Sequence, residues 1–472
     1  GSMNPALRWY LWWRLFDGNY GGSFFGLNGL FRPDLTYGPC AAEAAPIIRE
    51  FKAGAAKLLK NCERVSEIGV HYSHESIRGA SICGEAALFR DNREGWIQAL
   101  EDAGYQCEFL STAQIEAGEL AKRNYAAFVL PYSIALSEKE VAALRSYVKQ
   151  GGLLLADGKT GLMDLHCKTL SKGRLDDLFG ISRPEVNPMA PSREGHVLFS
   201  RDEALCKLKG LEFDVSTAEP NLTQAGGASL GTHGQTPMAV TRKTGKGTAV
   251  FLNMFLDSFA KRRKLKIEAP MRGLVENLLR LHGIAPAVVV ASGEDAGYRS
   301  YTVQYRSGDA LYVGSVGSIE GKDPNASANV SITFPKEGFV YDLRNGTALG
   351  RTREAKKALL AGDALLYAVM PYQVTGVNVK ADPEKTSPGQ PVKYSVALKT
   401  SAGDAGMHVI NIEIIDPDGK KLEHYGASLL ARNGKVEGGF VTALNDKPGR
   451  WTIRATDYVT RVVGECNINL EP

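Results

Sequence analysis

Apolar positions follow two rhythms along this chain, and the change comes near Pro286. Upstream, short unbroken apolar runs alternate with stretches of helical period. The clearest case spans 125–158, YAAFVLPYSIALSEKEVAALRSYVKQGGLLLADG. Tyr125 to Leu130 suits a strand buried on both faces, and Pro131 ends it. Ser137 and Glu140 form a capping box, each side chain serving a backbone N–H of the other. Val141, Leu144 and Val148 then recur as one helical stripe. Gly151-Gly152 stops the helix, because glycine enters the left-handed region at little cost. Leu153 to Ala156 is the next strand. Two strands joined by a crossover helix predict a parallel α/β layer.

The same alternation extends on both sides of this unit. Ile68 to Tyr72 and Cys107 to Leu110 read as strands, with a helix through Trp96 to Ala103 between them. Residues 181–240 are rich in Pro, Gly and Ser and carry weak strands. Gly247 to Asn253 is a late strand. Met271, Leu274, Leu278 and Leu281 stripe a closing helix, Glu268 to His282. A doubly wound parallel sheet over 63–287 is expected.

After Pro286 the period becomes two. Strands are expected at 301–305, 310–316, 328–334 and 364–369, with turns at Ser307-Gly308-Asp309 and Asn345-Gly346. A second set covers 392–398, 408–415, 436–442 and 451–455, with a hairpin turn at Asp416 to Gly419. These predict a β-sandwich over 288–378 and an immunoglobulin-like sandwich over 379–472. Residues 1–62 are different. Trp9, Trp12, Trp13 and Phe16 crowd one helix, Ser23 to Gly26 is a short strand, and Ala41 to Leu59 is an amphipathic helix. So short a piece cannot bury such an aromatic load alone. It reads as the last part of a (β/α) barrel, or as an extension docked on the domain that follows.

Composition changes this picture little. The chain has 472 residues, 44% hydrophobic and 23% charged, which fits several folded domains rather than disorder. The net charge of +4 is spread out, and the run Lys261 to Lys264 reads as a solvated surface, so no nucleic-acid partner is expected. No apolar run is long enough for a membrane span. Seven cysteines, odd in number and without CxxC spacing, argue against a zinc site and lean towards a reducing compartment. Gly1-Ser2-Met3 reads as an expression scar, so the natural start, with any signal peptide, is expected to be missing.

Two residue groups invite chemistry. His71 and His74 lie three apart beside Glu75, at a strand end where open α/β sheets hold ligands. Tyr72, Ser73, His74 and Ser76 are therefore the first candidates for a small-ligand site. The spacing also reads as a polar loop, and two imidazoles alone make no metal site. His166-Cys167 is the other group. A Cys nucleophile in an α/β domain sits on a sharp strand-to-helix turn, but the turn after Leu153 to Ala156 carries Asp157-Gly158-Lys159.

The central pattern FVLPYSIALSEKEVAALRSYVKQGGLLLADG, the segments TGLMD and LDDLFGIS, the strand GKGTAVFLN and HYSHES together resemble the trimerisation domain of family 42 β-galactosidases. YDLRNGTALG and ALLYAVMPYQV resemble the β domain that follows it. The resemblance covers about residues 10–378. It implies an amidotransferase-like (flavodoxin-like) parallel sheet domain after a remnant of a (β/α)8 barrel, with β-sandwich domains behind it. It also implies self-association as a trimer, an upstream catalytic barrel as partner, carbohydrate as the parent's substrate, and no cofactor. The family's two catalytic glutamates sit on earlier barrel strands, which this chain lacks, so no catalytic residue is expected here. Phe24, Phe25, Asn28, Phe31 and Asp34 would then line the sugar pocket of the whole enzyme, or pack its barrel. Two other readings stay open: a carbohydrate-binding multi-module protein, with Tyr305, Tyr312, Tyr341 and Trp451 as candidate aromatics, or a hydrolase that gathers Asp157, His166 and Cys167.

Overall fold

The computed structural model describes residues 5–19, 32, 34–190, 192–198, 211–293, 298–319 and 327–472. The chain forms two compact units. Ser66–Ala287 make one, and the residues up to Val65 make the other together with Val288–Pro472.

In the first unit the central prediction is realised closely. Ala127–Leu130 and Leu153–Asp157 are strands, joined by the helix Glu138–Gln150. Five parallel strands lie in the spatial order 107–111, 68–72, 127–130, 153–157, 247–252. Side chains alternate across them into two cores. Val70, Val129, Leu155 and Val250 face the helices Ala86–Asp102 and Ala269–Leu281. Phe128, Leu154 and Phe251 face Leu144 and Val148 of the crossover helix. That two-sided burial explains why these strands read as unbroken apolar runs.

The doubly wound expectation holds for only part of this sheet. It has nine strands, and 236–244, 228–233, 193–198 and 212–217 extend it beyond 247–252. These four pair antiparallel. The reason is the loop length. Gly245-Lys246 turns Thr236–Thr244 directly into Gly247–Leu252, and a two-residue turn returns the chain antiparallel, whereas a parallel return needs a long crossover.

In the second unit, six strands from 289 to 370 join 63–65 at the edge in one seven-stranded sheet, rather than two separate sheets. Val313, Phe334 and Tyr367 pack on one face. The other face carries the N-terminal helices. Trp12 and Phe16 from Pro5–Phe16, and Leu58 and Leu59 from Ala56–Lys60, join Tyr312 and Leu366 in one core. Tyr305 Oη donates to the carbonyl of Phe16 at 2.7 Å. The Arg344 guanidinium stacks 4.5 Å from the Trp12 ring and binds Glu50 and Asp363. Trp12 and Phe16 are thus buried within this β unit, and Trp9 and Trp13 pack against the same core half-buried. The expected strand Ser23 to Gly26 lies outside the described residues.

Residues 374–470 form a three-stranded and a five-stranded sheet around Val392, Ile410, Trp451 and Ile453. Asp416 to Gly419 makes the expected turn, with Gly419 N donating to Asp416 O at 3.0 Å. Tyr372 Oη meets His408 Nε2 at 3.0 Å, and His408 Nδ1 meets Asp457 Oδ1 at 2.8 Å, all three buried.

Candidate functional site at the carboxyl edge of the parallel sheet

An open parallel sheet places its ligand crevice outside the carboxyl ends of its strands, where the strand order reverses. Here that point lies between 68–72 and 127–130, each flanked by a loop. The loop 131–137 is buried along its whole length, and so is 158–163. The crevice is filled with the chain's own side chains.

Three hydrogen-bond systems fill it. At the first strand end, His71 Nδ1 lies 2.8 Å from Ser133 Oγ, and Nε2 lies 2.9 Å from Glu140 Oε1. Glu140 uses its other oxygen, Oε2, to accept from Ser137 N at 2.8 Å, while Glu140 N donates to Ser137 Oγ at 3.0 Å. The predicted capping box therefore doubles as the anchor of a buried histidine. Bonding to His71 and to the Ser137 amide holds the Glu140 carboxyl below its usual range despite the burial that opposes it. Serine, imidazole and carboxylate stand in a row, but this row is no nucleophile site. Ser133 is 1% exposed, and Nδ1 rather than Nε2 faces its hydroxyl.

The second system centres on Asp157, at the end of Leu153–Asp157. Its Oδ2 accepts from Asn92 Nδ2 at 2.7 Å and from Trp96 Nε1, and its Oδ1 accepts from Tyr132 N at 2.6 Å. Complete burial outweighs these donors and pushes the carboxyl up to about 7. Tyr132 holds a left-handed backbone (φ 48°), unusual for a bulky residue, and this turn aims its amide at Asp157.

The third system is built on Lys159, which is fully buried. Its ammonium binds both Glu85 carboxylate oxygens at 2.8 Å and the carbonyls of Pro188 and Ala190 at 2.9 and 2.8 Å. Glu85 also accepts from Tyr132 Oη. Beside it, Arg183 pairs with Asp176 and lies 3.6 Å from Glu219. Between Asp157 and Lys159 sits Gly158, at φ 48°. A Cβ there would lie 1.9 Å from the Phe255 ring, so the sharp turn after this strand has no room for a nucleophilic side chain.

The sequence candidates separate in the structure. Ser73 caps the helix His74–Ile82, accepting from Ser76 N at 3.0 Å. Ser76 Oγ bridges to Ala135. Tyr72 is half-buried against Phe109, with the Arg93 guanidinium 5.7 Å from its ring, and His74 is exposed. His71 and His74 thus point to different surroundings, and among the described residues no three His, Cys, Asp or Glu side chains converge on a metal position. Asp34 accepts from Thr36 N and Oγ1, which keeps its carboxyl below the usual range. Phe24, Phe25, Asn28 and Phe31 lie outside the described residues. The hydrolase grouping does not form: Asp157 is enclosed as above, Cys167 Sγ bonds to Glu75 O at 3.4 Å, and His166 is exposed. Tyr305, Tyr312, Tyr341 and Trp451 are all buried, so none offers a ring to a sugar. Sequence reasoning missed Glu85, Asn92, Lys159 and Arg183. Only the lysine gave a signal, as a charged residue in the turn just after a buried strand.

The β-galactosidase trimerisation domain family matches residues 89–285. Solved structures that share the fold include two β-galactosidases. The β-galactosidase of Bacillus circulans sp. alkalophilus aligns at TM-score 0.55 and 14% identity, over 74% of this chain and 48% of its own. A catalytic mutant of Gan42B, a family 42 β-galactosidase from G. stearothermophilus, aligns at 0.55 and 15% identity, over 74% and 46%. The chain therefore spans about half the length of these relatives. No curated protein matches it. The chain is a mixed α/β and β protein, and residues 89–285 of its α/β unit are similar to the β-galactosidase trimerisation domain.

Proposed function

We propose that this chain is the non-catalytic, self-associating part of a β-galactosidase-like glycoside hydrolase. The observation that carries the reading is the filled crevice. Asp157, Lys159 and Glu85 occupy the place where an amidotransferase-like domain would hold its nucleophile and substrate, and all are consumed by internal bonds. A structural role follows from that chemistry, and the trimerisation-domain match to 89–285 supports it. The strand order of the parallel half, second-first-third-fourth-fifth, supports an amidotransferase-like or flavodoxin-like ancestry. The two sheets of 374–470 support an immunoglobulin-like reading of the tail.

In the parent, an upstream catalytic barrel would supply the two carboxylates of glycoside hydrolysis. The segment 1–62 would be the end of that barrel, with Phe25, Asn28, Phe31 and Asp34 near its sugar. Tyr72, Ser73 and His74 would border a surface ligand or a neighbouring copy. The test is a chromogenic β-galactoside incubated with the purified chain. No turnover above buffer is expected, and turnover that survives repurification would overturn the assignment.

A further inference from the structure

The helix Phe259–Lys264 of the α/β unit ends in a turn that leaves four successive residues exposed: Lys264, Leu265, Lys266 and Ile267. The turn is a Schellman closure. Lys266 N donates to Arg263 O at 3.1 Å, and Ile267 N donates to Arg262 O at 3.0 Å. Its left-handed residue is Lys266, at φ 61°, where glycine is the usual and less strained choice. The apolar residue after such a turn commonly packs back on the last turn of the helix. Here Lys261 and Arg262 stand in that place, and Ile267 stays 52% exposed, while Leu265 is 60% exposed.

The basic residues here divide by type. Both arginines turn to their own chain: Arg263 binds Asp102 through two nitrogens at 2.8 and 3.0 Å, and Arg262 donates to Ser258 Oγ and to the Asp214 carbonyl. Lys261, Lys264 and Lys266 are exposed, and their ammonium groups make no hydrogen bond or ion pair among the described residues. A helix C-terminus attracts cations, which accounts for charge but not for two aliphatic side chains left in water. An arginine fork fits one carboxylate or phosphate, whereas lysine, a hydrated point charge on a long stem, suits a diffuse field of anions. Its stem lies along hydrocarbon while its ammonium stays among headgroups. A surface that is anionic outside and hydrocarbon just beneath meets both halves of this pattern. We propose that the turn 261–267 docks on an anionic lipid surface, with Leu265 and Ile267 entering the acyl boundary and the three lysines resting on the phosphates. The surface belongs to one chain and works whether or not copies associate.

Vesicle sedimentation with the purified chain tests it, using equal parts phosphatidylglycerol and phosphatidylcholine, with pure phosphatidylcholine as the neutral control. Binding to the anionic vesicles alone is expected, with release as salt rises from about 0.1 to about 0.5 M. Replacing Lys261, Lys264 and Lys266 together by Gln should weaken binding by about 100-fold, at about fivefold for each lysine. Leu265→Ser with Ile267→Ser keeps the charge and should weaken it about tenfold. Lys266→Gly removes one charge and relieves the left-handed backbone, so it should melt no lower than the parent yet bind about fivefold more weakly. Circular dichroism checks the fold of each variant. Absence of binding to the anionic vesicles, equal binding to the neutral ones, or parent-like binding by the folded variants would overturn the proposal. Capture on immobilised polyglutamate without vesicle binding would overturn it too, in favour of an acidic protein partner.

Discussion

Lys159 holds its ammonium 2.8 Å from both carboxylate oxygens of Glu85, two residues past the end of the strand Leu153–Asp157. Two backbone carbonyls complete its shell, so the charge is fully used inside the protein. Removing one member of such a pair strands the other. Lys159→Met should cost about 3 kcal/mol, less than a fully buried pair because Glu85 keeps some solvent and its Tyr132 bond. Urea unfolding of the α/β unit measures it. The double variant Lys159→Met with Glu85→Gln should recover part of the loss.

Asp157 sets a pH dependence. Its folded carboxyl is raised to about 7, above the value of about 3.9 expected when unfolded. A raised acid contributes stability that is fully present below the unfolded value. That contribution is lost as pH climbs to the folded one. The α/β unit should therefore lose stability between about pH 4 and pH 7, on the order of 4 kcal/mol from this group, and then level off. Glu219 and Asp257 shift in the same direction, and burial is the main cause for each. Denaturant midpoints across that range check the slope, which should flatten in Asp157→Asn.

Glu140 serves a helix cap and a buried imidazole together. Glu140→Ala should cost about 2–4 kcal/mol, because both Ser137 N and His71 lose a partner. Ser137→Ala removes the cap alone and should cost about 1 kcal/mol. Thermal melts of the two variants give the difference.

Trp12 belongs to the β unit. Trp12→Ala opens a cavity beneath Arg344 and should cost about 3–5 kcal/mol. Trp12 and Lys159 lie in different units, so if the two units unfold as separate transitions, this loss falls on the β unit and leaves the Lys159 transition in place. Two-probe unfolding tests the assignment.

Local signals in the sequence were legible where one short segment determines the outcome. The Ser137–Glu140 box, the Gly151 stop and the 416–419 turn depend on neighbours within a few residues, and each forms as read. Unbroken apolar runs placed the parallel strands, because cores on both faces of that sheet demand apolar side chains at successive positions. What escaped depends on distant partners. His71 read as part of a polar loop, since Glu140 lies 69 residues away in sequence. Lys159 read as a loop residue, since Glu85 lies 74 residues back. The antiparallel half of the sheet escaped because weak strands between Pro, Gly and Ser residues carry little periodicity of their own.

The mass of the purified chain in solution, by light scattering, tests the central claim most directly. A self-associating scaffold of the trimerisation kind predicts a species of about three times the 51.0 kDa chain mass. A species of 51.0 kDa that persists as the concentration is raised would contradict it.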